Sequence, residues 1–362
     1  MRVVSIVGAR PQFVKLAPVA EAFTQAGIDH RIVHTGQHYD ANMSDVFFAD
    51  LAIPSPDINL EVGSGGHGVQ TGAMLAALDP ILADMAPDWV LVYGDTNSTL
   101  AGSLCAVKQS LRVAHLEAGL RSFNRRMAEE HNRVLTDHAA DLLLAPTQTA
   151  MDHLAREGLG ERSVMVGDVM ADVCLRIAGA VAEAPLPLHQ FGLRPREYFV
   201  ATLHRAENTD DPARLAAIIA ALRDLSLPVI LIAHPRLRAK AASACLALAG
   251  GALRVVDPQP YPHMLHLVAN SRSVLTDSGG LQKEAYILGV PTTTLRTETE
   301  WVETLEGDWN VLRPDLDGLN ESALRHPKTN RSQPFGNGNA AASVVAALRS
   351  RRTTRVGERG SC

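Results

Sequence analysis

Asp95 and Glu117 each follow directly on a short apolar run, Trp89 to Tyr93 (then Gly94) and Val113 to Leu116, so two carboxylates are carried to the ends of two strands. Glu129-Glu130-His131-Asn132-Arg133 opens a helical pattern in which Glu129 and Arg133 stand four apart, hence on one face. Clustered carboxylates shift one another's proton affinity, so one can hold a proton as an acid while another works as a base. Taken singly, the same residues have routine roles, Asp95 as a helix cap and Glu129 with Arg133 as a surface pair.

Two histidines share this placement. Tyr198 to Leu203 delivers His204-Arg205-Ala206-Glu207-Asn208, and Val229 to Ala233 delivers His234-Pro235-Arg236. A lone histidine is most often structural, whereas a His-Arg pair beside a diphosphate makes a clamp for a leaving group. Thr276-Asp277-Ser278-Gly279-Gly280 joins a strand to a helix over Leu281 to Leu288. Two readings fit it: a plain Ser278 cap with a tight turn, or bare N–H groups of Gly279 and Gly280 at a helix start that favours a diphosphate, with Glu284 placed to take ribose hydroxyls. Gly8-Ala9-Arg10-Pro11-Gln12 likewise leaves a strand and enters a helix carrying Lys15. Arg10 and Lys15 are either anion ligands or solvated surface charges.

Gly63-Ser64-Gly65-Gly66-His67-Gly68 satisfies G-x-G-x-x-G, but the run before it, Ile58 to Val62, is polar at alternate positions and is not the first strand of the chain. A dinucleotide site needs both conditions, so no redox cofactor is expected. There is no H-E-x-x-H, and the His, Asp and Glu positions repeat at no ligand spacing, so no metal is expected either.

Positioning these groups requires a particular scaffold. Val3 to Val7, Arg31 to His34, Trp89 to Tyr93, Val113 to Leu116 and Leu142 to Ala145 alternate with helical patterns, and a second series follows in Tyr198 to Leu203, Val229 to Ala233, Leu253 to Val256, Ser273 to Thr276 and Thr292 to Leu295. That rhythm predicts an α/β fold of two doubly wound, Rossmann-like domains with ligands at the carboxyl ends of the strands, in a cleft between the lobes. Ala184-Pro185-Leu186-Pro187 reads as a stiff linker. The domains are accordingly expected at 1–184 and 185–338, with a closing helix at 339–352 joined to the first and a frayed tail after it.

The chain of 362 residues carries a formal charge of -5 with no long basic stretch in its body, so a nucleic-acid partner is not expected. Four single cysteines suit a reducing compartment, and no apolar run is long enough for a membrane span or a signal peptide, so a soluble cytoplasmic protein is expected.

Gly8 to Gln12, Gln37-His38, Tyr93 to Thr96, His115 to Arg121, Glu129 to Arg133, His204 to Asn208, Thr276 to Gln282 and Pro334 to Gly338 together resemble the non-hydrolysing UDP-N-acetylglucosamine 2-epimerases, in order and over nearly the whole chain. The resemblance implies a glycosyltransferase-B-like pair of domains, a homodimer, and interconversion of UDP-GlcNAc and UDP-ManNAc. It also implies that the closing helix returns to the first domain. In that chemistry the C2 hydrogen has no neighbouring carbonyl to acidify it, so UDP must depart from C1 as the proton leaves, giving a glycal to which UDP re-adds. Asp95, Glu117 and Glu129 are then the candidate acids and bases, with His204, Arg10 and Ser278 on the diphosphate and Glu284 on the ribose.

Well-known bacterial members carry Glu where Gln12 stands and Glu-Arg-Pro-Glu where this chain has Glu300-Trp301-Val302-Glu303, and their longer insert is shortened here to Ser122 to Met127. Ala9, Gln12 and Trp301 look like the branch that epimerises UDP-2,3-diacetamido-2,3-dideoxyglucuronate for O-antigen synthesis. A glycosyltransferase of the same architecture and a non-catalytic nucleotide-sugar sensor are the other readings.

Overall fold

The structure is a computed structural model that describes residues 1–37, 53–182 and 192–351. The expected linker at 184–187, the tail after Arg351 and the stretch from His38 to Ala52 lie outside the described residues. In chain order the strands are β1 (Arg2–Val7), β2 (Asp29–His34), β3 (Ile58–Asn59), β4 (Trp89–Tyr93), β5 (Val113–Leu116), β6 (Leu142–Ala145), β7 (Ser163–Met165), β8 (Phe199–Thr202), β9 (Val229–Ile232), β10 (Leu253–Val256), β11 (Ser273–Thr276), β12 (Thr292–Thr294) and β13 (Asn310–Leu312). The helices are α1 (Arg10–Gln25), α2 (His67–Met85), α3 (Asn97–Lys108), α4 (Ala128–Ala139), α5 (Gln148–Arg156), α6 (Val169–Ala182), α7 (Ala206–Thr209), α8 (Pro212–Arg223), α9 (Pro235–Ser243), α10 (Tyr261–Asn270), α11 (Gly279–Ile287), α12 (Leu319–Leu324) and α13 (Ala340–Ser350).

The chain divides into two compact units, Met1–Val173 with Pro334–Cys362, and Cys174–Gln333. The division falls inside α6, upstream of the proline-rich stretch. In the first unit seven parallel strands lie in the order β3-β2-β1-β4-β5-β6-β7; in the second, six lie in the order β10-β9-β8-β11-β12-β13. Counted within its own unit, each begins with the 3-2-1-4-5-6 order of the doubly wound fold.

Both sheets are buried because successive residues serve opposite faces. In β8, Phe199 and Ala201 join Ile218 and Leu222 of α8 in one core, while Val200 joins Val268 of α10 and Ala285 of α11 in another. In the first unit Val4, Ile6, Val90 and Val92 pack with Met74 and Leu78 of α2 and Ala101 of α3. The central strands coincide with the apolar runs, whereas β3, β7 and β13 had no such signal. They are two or three residues long and half exposed, so pairing defines them where composition does not. Helix α13 packs on α1 within the first unit, and Asp172 caps it by accepting from Ala340 N–H at 3.0 Å and Ala341 N–H at 2.8 Å.

His30 of β2 meets Ser5 Oγ at 2.8 Å and the edge of Phe23. Burial pushes its imidazole from 6.5 down to about 4, against weaker opposing pulls from Asp57 and Asp29. The fold therefore holds this ring neutral while the unfolded chain binds the proton, so the stability it permits is complete above the unfolded value and falls as pH drops toward the folded one. Between pH 7.5 and 5 the wild type should lose about 1–2 kcal/mol more than His30→Gln in urea titrations. Equal losses would acquit this residue.

Candidate active site

In an open sheet of this order the carboxyl ends of strands 1 and 4 flank the point where the helical connections diverge, and a crevice forms there. In the first unit that point lies between β1 and β4. Gly8 must lack a side chain, since a Cβ would lie 1.9 Å from Thr35 Oγ1 and 2.4 Å from Ser98 Oγ. Gln12 then ties the two strand ends together. Its Oε1 accepts from Gly8 N–H (2.7 Å) and Ala9 N–H (3.0 Å), while Nε2 donates to the Tyr93 carbonyl (2.9 Å) and Thr99 Oγ1 (3.1 Å).

Lys15 of α1 pairs with Glu117, and Asp95 pairs with Arg133 of α4. Gly94 lies beside the first pair: a Cβ there would sit 3.2 Å from both Lys15 Nζ and Glu117 Oε2. Four of the residues expected at the site are thus brought together in two ion pairs. The Lys15 and Glu117 side chains are each 11% exposed and Asp95 31%, enough for a ligand to reach them. Glu117 has φ +73°, a left-handed conformation that costs a non-glycine residue about 1–3 kcal/mol. The turn is pinned because Glu117 N–H and Ala118 N–H both donate to the Leu144 carbonyl, at 3.1 and 3.2 Å.

Arg133 does not pair with Glu129. Its second partner is Glu130, at 2.9 Å, one helical turn back on the buried side, whereas Glu129 points to solvent. Glu130 also accepts from Ser122 N–H, Ser122 Oγ–H and Phe123 N–H at 2.9, 2.8 and 2.9 Å. Burial raises its proton affinity, but those bonds and Arg133 outweigh it and hold the carboxyl below its ordinary range. Helix α1 begins at Arg10, whose side chain lies outside the described set.

Beneath these turns runs a buried chain of charges. His115 Nδ1 meets Asp137 Oδ1 at 2.7 Å and its Nε2 meets the Gly94 carbonyl at 2.7 Å. Asp137 Oδ2 accepts from Gly119 N–H (3.1 Å) and Arg121 (2.7 Å), and Arg121 makes a two-pronged pair with Glu157 at 2.8 Å on each prong. Burial would raise Asp137, but His115 and Arg121 pull it below the usual carboxylate range. The glycine-rich stretch Gly63 to Gly68 follows the edge strand β3 and not β1; its Gly63 carbonyl accepts from Gln70 at 2.7 Å, and its His67 meets Asn97 at 3.3 Å.

In the second unit the equivalent point lies between β8 and β11, where His204 and Ser278 emerge. Asp277, fully buried, organises both. Its carboxylate accepts from His204 N–H (3.1 Å), Arg205 N–H (3.0 Å) and Asn208 Nδ2 (3.2 Å), and it meets His204 Nδ1 at 3.0 Å. Burial opposes its ionisation, and the bonds from His204, Arg205 and Asn208 overcome that. The His204 side chain stays 45% exposed. Ser278 caps α11 through Leu281 N–H at 3.4 Å, leaving Gly279 and Gly280 at the helix start. A Cβ on Gly279 would lie 2.1 Å from Glu300 Oε1, and Glu300 is held by Arg296 at 3.0 Å. Glu284 accepts from Tyr261 at 2.7 Å. His234 caps α9 at the end of β9, with Nδ1 accepting from Arg236 N–H at 3.3 Å. The ring of Trp301 faces Lys283, whose Nζ is 4.0 Å from its centroid.

Sequence reasoning missed the residues that hold others. Asp277, Asp137, His115, Arg121 and Glu130 are buried and polar. The available signal was a charged residue at a strand end or on the sheet-facing side of an amphipathic helix. Among the described residues no group of three or more His, Cys, Asp or Glu could hold a metal ion, and no helix is long and apolar enough to cross a membrane.

Residues 21–349 match the family model described as UDP-N-acetylglucosamine 2-epimerase. The UDP-2,3-diacetamido-2,3-dideoxy-D-glucuronate 2-epimerase of Pseudomonas aeruginosa is 46% identical over 96% of this chain and 99% of its own. A UDP-N-acetylglucosamine 2-epimerase homolog of Methanococcus maripaludis is 44% identical over 96% and 99%. The crystal structure of the Methanocaldococcus jannaschii UDP-GlcNAc 2-epimerase, in complex with UDP-GlcNAc and UDP, has a TM-score of 0.87 at 39% identity and covers 97% of this chain and 100% of its own. The fold is thus the glycosyltransferase-B-like pair of Rossmann-type units, and with two strand-end sites built as described the chain belongs to the UDP-N-acetylglucosamine 2-epimerase family, an isomerase family.

Proposed function

We propose that the protein inverts C2 of a UDP-linked N-acetyl-hexosamine, interconverting UDP-GlcNAc and UDP-ManNAc by elimination and re-addition of UDP. The observation that carries the reading is the pair of carboxylates, Asp95 and Glu117, each held by a cation at the β1/β4 point. As the C1–O bond breaks toward UDP, a carboxylate takes the C2 proton and a glycal forms; a proton then returns to the opposite face while the departed UDP oxygen re-forms the bond. Lys15 and Arg133 hold the two carboxylates in place through their ion pairs. Glu129, exposed on the first turn of α4, is the third member of the acid–base set. Arg10, His204, His234 and the N–H groups at Ser278 to Gly280 take the diphosphate, and Glu284, steadied by Tyr261, takes the ribose. Balance requires no hydride carrier. A homodimer acting in the cytoplasm on polysaccharide precursors completes the reading, on family resemblance.

A second substrate, UDP-2,3-diacetamido-2,3-dideoxyglucuronate, is favoured by the 46% identity to the Pseudomonas enzyme together with Ala9, Gln12 and Trp301. Proton NMR in D2O of UDP-GlcNAc and of its 3-acetamido and uronic-acid relatives separates the two. The preferred substrate should form the manno isomer with one solvent deuterium at C2. No C2 exchange with any of them would refute the epimerase reading.

A further inference from the structure

The groups proposed to do chemistry do not hold themselves in place, and the buried chain beneath them does more than fill space. We infer that His115 is a positioning residue: an imidazolium, aligned by Asp137, whose second N–H fixes the Gly94 carbonyl and with it the turn that presents Asp95. Four observations support this. First, both ring nitrogens face acceptors, Asp137 Oδ1 and the Gly94 carbonyl, each at 2.7 Å. A backbone carbonyl cannot donate, so Nε2 carries a proton; the carboxylate is ionised and accepts from Gly119 and Arg121 as well, so Nδ1 carries one too. Second, the ring and the Asp137 carboxylate are wholly buried, which shuts the ring out of proton exchange with substrate and leaves it a holding role. Third, Asp137 lies wholly buried between the ring and Arg121, and Arg121 is shared with Glu157, which is 28% exposed and also meets His138, so a cationic ring gives the buried carboxylate a partner of its own.

Fourth, the tethered backbone needs holding. Gly94 and Gly119 have φ +62° and +84°, and Glu117 between them has +73°. Gly119 admits no side chain, since a Cβ would lie 2.5 Å from the Ala150 carbonyl. Asp137 grips one end of this strained stretch through Gly119 N–H, and His115, in the strand leading to Glu117, grips the Gly94 turn on the neighbouring strand. One carboxylate–imidazolium unit thereby sets the spacing between the two turns that carry Asp95 and Glu117.

The rate arm of the test rests on the epimerase reading; the spectroscopic arm does not. With histidine-selective 15N labelling, the wild type should show two exchange-protected ring N–H signals from one histidine, both lost in His115→Gln. Asp137→Asn, whose amide can donate to Nδ1, should lose one and keep the other. A single ring N–H for His115 in the wild type overturns the inference. In the rate arm, folded His115→Gln, which has one donor group for two acceptors, should lower the rate of C2 exchange about 10²-fold. UDP affinity of the folded variant should stay within about twofold, with the loss in kcat and not in KM, while the melting temperature falls because buried Asp137 loses a cationic partner. A rate within twofold of wild type overturns the inference, as does a loss matched by equal loss of UDP binding. If His115→Gln fails to fold, the Asp137→Asn spectrum decides. Absence of C2 exchange in the wild type would count against the epimerase reading alone.

Discussion

Glu117→Gln is expected to slow exchange of the C2 hydrogen by about 10²–10⁴-fold, and Asp95→Asn by a similar factor, with UDP binding largely kept. The amide has nearly the shape of the carboxylate it replaces, so it can still accept from Lys15, and the pinned turn at Leu144 still holds its backbone at φ +73°. What it loses is the capacity to take or return a proton. Arg133 would likewise keep its second anchor in Glu130 when Asp95 becomes an amide, so the local fold is over-determined. UDP would be held mainly by groups of the second unit, with Arg10 of the first, and neither substitution replaces any of them. Deuterium incorporation from D2O, followed by NMR, reads the chemistry, and titration calorimetry with UDP reads the grip. Turnover at the wild-type rate in both variants would remove the carboxylates from the mechanism.

The placement of those carboxylates is legible in the sequence because of a physical regularity. A parallel strand buried on both faces shows as an unbroken apolar run, so its end, and the residue presented there, can be read directly. Asp95, Glu117, His204 and Ser278 were found this way. Partnership was harder to read. Helix geometry puts residues three and four apart on the same side, so Glu129 and Glu130 were equally good neighbours of Arg133, and burial of the second decided. Contacts such as Asp137 with His115, or Asp277 with His204, span 22 and 73 residues; the first needs α4 packed against β5, and the second needs β11 paired with β8. The shortest edge strands stayed hidden for the opposite reason: Ile58–Asn59 and Asn310–Leu312 have too few residues for any period to register. In both kinds of miss the deciding quantity was a distance between segments, which composition and spacing do not encode.

Asp277 gives the second large effect, this time on binding. Asp277→Ala is expected to weaken UDP affinity about 10²-fold and to destabilise the second unit by about 3 kcal/mol. The carboxylate is fully buried and receives the His204 and Arg205 N–H groups and Asn208 Nδ2, so truncation strands several donors where water cannot serve them. It also releases the ring of His204, whose exposed side must face a diphosphate oxygen for the clamp to work. The α11 start, where Gly280 is exposed, survives the change, so part of the affinity should persist. A double-mutant cycle with His204→Ala separates the two contributions. If Asp277 acts on UDP through His204, the double variant binds little worse than Asp277→Ala alone, because the second truncation removes a group already displaced. Calorimetry on the four proteins measures this, with urea titration alongside to subtract unfolding. Strictly additive losses would mean that Asp277 supports the site by some route other than His204, and wild-type affinity in Asp277→Ala would place the diphosphate elsewhere.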